Sequence, residues 1–322
     1  MFTFALLFVA TLSSKAEPGI DERYRKLLST DSPAKDSERL NELFKVRWDY
    51  LMHEYPEWAT FVGYPGQNRR WTDASPEAVA RRNRDLDTPL KVINSITRSN
   101  LTPAEKLNYD LFKQNIEEDI EGIPFHGEYL SINQLGGPQQ EIAELLASTM
   151  PHKTRMDYED ILARLEGASN VVSQCLDSLK LGVAAGITQP RITLRDVPKQ
   201  IEAMCEPNPT NNSIIKAFYE MPADLPESVK LELRNQAIGI LTNQLIPSFE
   251  KLRQFMVETY IPKSRESIGM SALPNGAAWY QHNIKSITTT TRTPEEIHEL
   301  GLREVARIRA EMEALIKRTE FK

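Results

Sequence analysis

Cysteine is nearly absent from this chain of 322 residues: only Cys175 and Cys205 occur. That excludes a small disulfide-stapled fold, and two thiols with no neighbouring His pair do not make a zinc site. The two stand 30 residues apart, which allows a disulfide without requiring one. Cys175 also falls on an apolar helical stripe, where a buried free thiol is the plainer reading. Glycine (14) and proline (20) are too few for a collagen-like or low-complexity chain. No stretch approaches 18 consecutive apolar residues, so no transmembrane helix is expected. Basic charge is in deficit, with 39 Lys and Arg against 45 Asp and Glu and a net charge of -6. A nucleic-acid binder working through phosphate contacts should be basic, so no nucleic-acid partner is expected.

Catalytic signatures are missing too. There is no G-x-S-x-G elbow, no Walker A loop and no G-x-G-x-x-G turn. The zinc-protease helix H-E-x-x-H needs two imidazoles one turn apart, with Glu as base between them. His53-Glu54-Tyr55-Pro56-Glu57 has Glu at the second His position and a Pro within. His298-Glu299-Leu300-Gly301-Leu302 has Leu there. His298 shares a helix face with Leu302 and Val305 and reads as a packing histidine. His126, His152 and His282 are scattered, and Glu117-Glu118-Asp119-Glu121 reads as a solvated acidic face. The chain therefore offers no catalytic residue, no metal ligand and no bound cofactor of its own.

At 40% hydrophobic residues the chain can bury one large core or two smaller ones. Phe2 to Leu12 is a short apolar run followed by Ser14-Lys15-Ala16, a small-x-small pattern. It reads as a signal peptide over 1–16, which makes the expected location secreted or periplasmic. Residues 17–36 are polar and read as a flexible leader, with the first helix starting near Ser37.

From there the periodicity is helical. Ser75-Pro76, Thr102-Pro103-Ala104-Glu105 and Thr293-Pro294-Glu295-Glu296 each write a helix start: a hydroxyl caps an orphan amide, and Pro occupies a position that needs none. Tyr158, Ile161, Leu162, Leu165, Val172, Cys175, Leu176 and Leu179 form one stripe over about Asp157 to Gly182. A second long helical stretch covers Pro226 to Tyr260, with a kink or two abutting helices expected at Pro247. Tyr129 to Ile132, Arg191 to Leu194 and Ser286 to Thr290 are candidate short strands. The fold class is mainly α, a multi-helix array with a few short strands. One segment, Ser271 to Tyr280, joins a tight turn to an aromatic pair. Asn275, Trp279 and Tyr280 are candidate substrate-cleft residues there; a packed Trp/Tyr anchor is the other reading.

Six segments, in order and spacing, resemble the bacterial "domain of unknown function 885" family. They are Trp71-Thr72-Asp73-Ala74-Ser75-Pro76-Glu77, Leu107-Asn108-Tyr109-Asp110-Leu111, Ile132-Asn133-Gln134-Leu135-Gly136-Gly137-Pro138, Gly186-Ile187-Thr188-Gln189-Pro190-Arg191, Ile268 to Gly276 with Trp279-Tyr280, and Thr293 to Leu302. The resemblance spans 37–322 as one helical domain. It implies kinship with exported, helical zinc metallopeptidases of the thermolysin-like clan, of about double this mature length, whose zinc motif lies in the C-terminal half. On that basis the chain is expected to be the N-terminal half alone, a fragment that stops before the metal site. It would form a wall of the substrate channel, inactive by itself, with zinc and a peptide substrate belonging to the full-length hydrolase. The alternative is a stand-alone exported helical binding or scaffold protein without catalysis.

Overall fold

Capping chemistry sets where the helices begin. Thr102, Thr154 and Thr293 each accept the amide of the third helical residue, whose acidic side chain returns to the cap amide. Ser75 accepts the amide of Ala78. The computed structural model describes residues 19–29 and 34–319; the signal reading over 1–16 lies outside them. Among the described residues the α-helices are α1 (Ile20–Leu28), α2 (Asp36–Glu54), α3 (Pro56–Phe61), α4 (Pro76–Asp85), α5 (Asp87–Asn94), α6 (Pro103–Gly122), α7 (Pro138–Glu144), α8 (Arg155–Ala185), α9 (Val197–Met204), α10 (Glu227–Ile240), α11 (Ile246–Phe255), α12 (Ile261–Lys263), α13 (Gly276–Thr288) and α14 (Pro294–Arg318).

Two expectations need correction. Helix α1 stands inside the stretch read as a leader, where Tyr24 and Leu27 are buried against α2 and α5. The three candidate strands are not strands. Gly127–Leu130 and Arg191–Leu194 are 3-10 turns, and 286–288 end α13. Extended pairing among the described residues is confined to an isolated bridge between Pro190 and Arg265. Short β-prone runs with no neighbouring strand to satisfy their backbone groups fall back on local turns.

Helix α8 is the spine. Its stripe (Tyr158, Ile161, Leu165, Val172, Leu179) is buried against α10 and α11 in the largest core, and it ends on left-handed Gly186. Cys175 is a free buried thiol whose pKa burial pushes up to about 11; Cys205 is also free. A second core joins α1, α2, α5 and α6 around Leu40, Leu43, Val46, Val92 and Ile93.

The stretch from Glu227 to Lys263 is a row of abutting helices, α10, α11 and α12, joined by π-turns at its prolines. Wide π-turns at Leu241–Leu245 and Met256–Tyr260 precede Pro247 and Pro262, and a third at Leu145–Thr149 precedes Pro151. Each time the residue before Pro donates five residues back: Ile246 to Leu241, Ile261 to Met256 and Met150 to Leu145. Proline cannot donate to the carbonyl four residues back, and its ring crowds it; the wider turn relieves both problems.

Helix α14 stands apart. None of its 25 residues is buried, and Leu302, Val305, Ile308, Met312, Leu315 and Ile316 are exposed. His298, read as a packing residue, is exposed with them.

Candidate functional site

A concave surface that joins an imidazole, carboxyl groups and a guanidinium lies where α2, α6 and α13 meet, a cavity of about 640 Å³. Helix α2 supplies Phe44, Arg47, Trp48 and Leu51; α6 supplies Phe112, Glu118 and Asp119; α13 supplies His282 and Ser286. Their spacing follows from helical geometry. Residues 44, 47, 48 and 51 recur at three and four, as do 112, 115, 116 and 119, so each helix offers one face to the cavity.

The acidic run on α6 is therefore not uniformly solvated. Glu118 is buried and accepts a hydrogen bond from Gln114 Nε2 at 2.7 Å. Asp119 opens into the cavity and accepts no hydrogen bond from the described residues. The surrounding protein thins its hydration and raises its pKa, Glu118 adds repulsion, and Arg47 and His282 pull the other way. Glu121, two residues further on, pairs with Lys285 at 2.6 Å and lies 4.0 Å from His282 Nδ1. Phe125 tilts against the His282 ring, centroids 5.4 Å apart.

The site thus holds a carboxyl with raised proton affinity, an imidazole, a guanidinium and an aromatic wall. Such a set can bind a polar ligand with an apolar part and can exchange a proton with it. It contains no nucleophile paired to a base.

The three candidate cleft residues from the sequence separate in the fold. Trp279 is 7% exposed and packs with Ile187 and Leu273, its ring stacked on Phe125 at 5.6 Å. That is the anchor reading. Tyr280 is 47% exposed and Asn275 is exposed, and none of the three lines the α2/α6/α13 cavity. The turn before them has a backbone reason. Asn275 sits in the left-handed region at φ 53, and a Cβ on Gly276 would lie 2.1 Å from the Met270 carbonyl oxygen. Asn tolerates that conformation, and only Gly admits the close approach.

Arg47, Asp119 and His282 were not legible as a site. They come from three helices far apart in sequence, and Asp119 lay in a charge run. The available signal was Trp48, a large aromatic on the α2 stripe that remains 45% exposed.

A family model described as "Bacterial protein of unknown function (DUF885)" matches residues 56–322. No curated protein matches the chain. Among solved structures, the chain is similar to one described as "the putative lipoprotein from Colwellia psychrerythraea", with a TM-score of 0.79 at 18% identity. The match covers 89% of this chain and 52% of that one, so this chain spans about half the length of the solved protein. At that identity the likeness establishes the fold. The family match covers most of the sequence, and the chain belongs to the DUF885 family of bacterial proteins.

Proposed function

We propose that the chain is the N-terminal helical part of an exported, zinc metallopeptidase-like protein and forms one wall of its substrate channel. The observation that carries this reading is α14, a 25-residue helix with no buried residue and an apolar stripe at Val305, Ile308, Met312 and Leu315. An exposed apolar face of that length calls for a partner surface. The solved chain from Colwellia psychrerythraea is matched over only 52% of its length, which leaves a second body of comparable size to supply one. Its description as a lipoprotein fits export. The peptidase chemistry rests on the family resemblance.

Among the described residues no three His, Cys, Asp or Glu groups stand together in a way that could hold a metal. On the family resemblance, zinc belongs in this proposal to the remainder of the longer protein, and no catalytic residue is assigned here. The α2/α6/α13 cavity is the surface offered to a peptide, with Asp119 and Arg47 available to its polar groups and Trp48 and Phe112 to its side chains.

The test is peptide hydrolysis by the purified chain, with zinc and with chelator. The expected result is no chelator-sensitive activity. Zinc-dependent hydrolysis by the chain alone would overturn the reading. A second reading, a stand-alone exported binding or scaffold protein, draws on the self-contained core around α8. It calls for a cooperative melt and a surface that a ligand protects without metal.

A further inference from the structure

A second cleft, of about 510 Å³, lies between α3, the loop that follows it, and α7 with its trailing π-turn. Three aromatic side chains line it, Trp58, Phe61 and Trp71. Trp58 and Phe61, one helical turn apart on α3, stack with centroids 5.2 Å apart, yet remain 51% and 67% exposed. Trp71 faces them from the loop, and Leu145 closes the far side. Exposed aromatic pairs at a concavity are costly unless something covers them.

The cleft is also charged with one sign. Glu57, Glu141 and Glu144 line it, and no Lys, Arg or His does. Glu57 is held in place by the Thr72 amide at 3.0 Å and the Thr72 hydroxyl at 2.5 Å. Glu141 accepts the Gly137 amide at 2.9 Å. Glu144 is exposed and accepts no hydrogen bond from the described residues.

The walls are fixed from behind by Arg164. This fully buried side chain donates to the carbonyls of Pro56, Gln67 and Arg70 and to the Thr60 hydroxyl. Its own carbonyl accepts from Trp71 Nε1 at 2.6 Å. The guanidinium lies 5.7 Å from the Trp71 ring centroid. Its charge attracts Glu57, which leaves Glu141 and Glu144 as the carboxylates of the lining with no basic partner there. The result is an aromatic-lined cleft whose rim at Glu141 and Glu144 has no basic side chain in the lining, the arrangement that favours a cation over a neutral molecule of the same shape.

We propose that this cleft binds a small organic cation: an ammonium carried on an aromatic or aliphatic body. The body lies against Trp58, Phe61 and Trp71, and the ammonium meets Glu144, with Glu141 adding to the field. This site is separate from the α2/α6/α13 cavity and needs no metal.

The test compares 2-phenylethylammonium with 2-phenylethanol, which share a body and differ in charge. Binding to the full chain is read by calorimetry at low ionic strength. The ammonium should bind about ten-fold more tightly or better, a difference that added salt erodes. Glu144→Gln should bring the ammonium close to the alcohol. Trp58→Ala should weaken both. Neither side chain is buried, so both variants should melt with the parent, which separates a binding effect from a folding one. Equal affinity for the two probes, no measurable binding of either, or ammonium binding untouched by Trp58→Ala would each overturn the proposal.

Discussion

Arg164 enters the interior as a cation and is met there by carbonyls and a hydroxyl rather than by a bonded carboxylate. Burial lowers its pKa to about 10, still well above neutrality, so the charge persists. Removing it would strand several buried acceptors at once. Arg164→Ala should cost about 3 kcal/mol in a urea unfolding experiment. Arg164→Lys should recover little, because one ammonium cannot reach four acceptors spread over α3 and the loop that follows it. Glu54 works in the opposite sense. Burial resists its ionisation, but Arg81, bonded at 2.6 and 3.0 Å, and Arg82 outweigh that and hold its pKa below the ordinary value. A depressed carboxyl pKa stabilises fully above the unfolded value and loses that contribution as pH falls through the folded one. Glu54→Gln should therefore be less stable by about 1–2 kcal/mol at neutral pH. The gap should close as the solution is acidified below a pH of about 4. Parallel thermal melts across pH check this. A gap that persists or widens in acid would contradict the ion-pair account.

Among the elements, α14 is the one whose sequence and surroundings disagree. Its capping box at Thr293 and its apolar stripe were both legible, and the helix forms from Pro294 to Arg318, but nothing among the described residues covers the stripe. Ile308→Asp should change the unfolding free energy of this chain by less than about 0.5 kcal/mol. Leu165→Ala in the α8 stripe should cost about 2–5 kcal/mol. Equal losses in the two variants, measured in the same denaturant series, would mean that α14 packs after all. The helices were otherwise readable wherever an apolar stripe and a cap agreed: α8 was expected over Asp157 to Gly182 and runs from Arg155 to Ala185. Where reading failed, the cause was physical. Ile20, Tyr24 and Leu27 carry helical spacing in α1, but the charges between them looked like an unstructured leader. At Pro247 a kink or two abutting helices were expected; α10 and α11 do abut there, and the π-turn that joins them depends on backbone adjustment that no residue type announces.

At the scale of the whole molecule, the fold class and the family were within reach of the sequence and the candidate site was not. Stripes and caps are local, whereas the cavity needs α2, α6 and α13 to meet, and only the tertiary fold brings Arg47, Asp119 and His282 to one place. The same limit explains the fate of Trp279. Its position beside a tight turn suggested a cleft, and packing against Phe125 and Leu273 uses it as an anchor. The central claim is that these helices are one wall of a longer, zinc-dependent enzyme whose remainder packs on α14. The most direct test is to read the coding sequence that follows the Lys322 codon. The account predicts an in-frame continuation that contains H-E-x-x-H. A stop codon with no such motif beyond it would contradict the account and leave a binding protein without catalysis as the better reading.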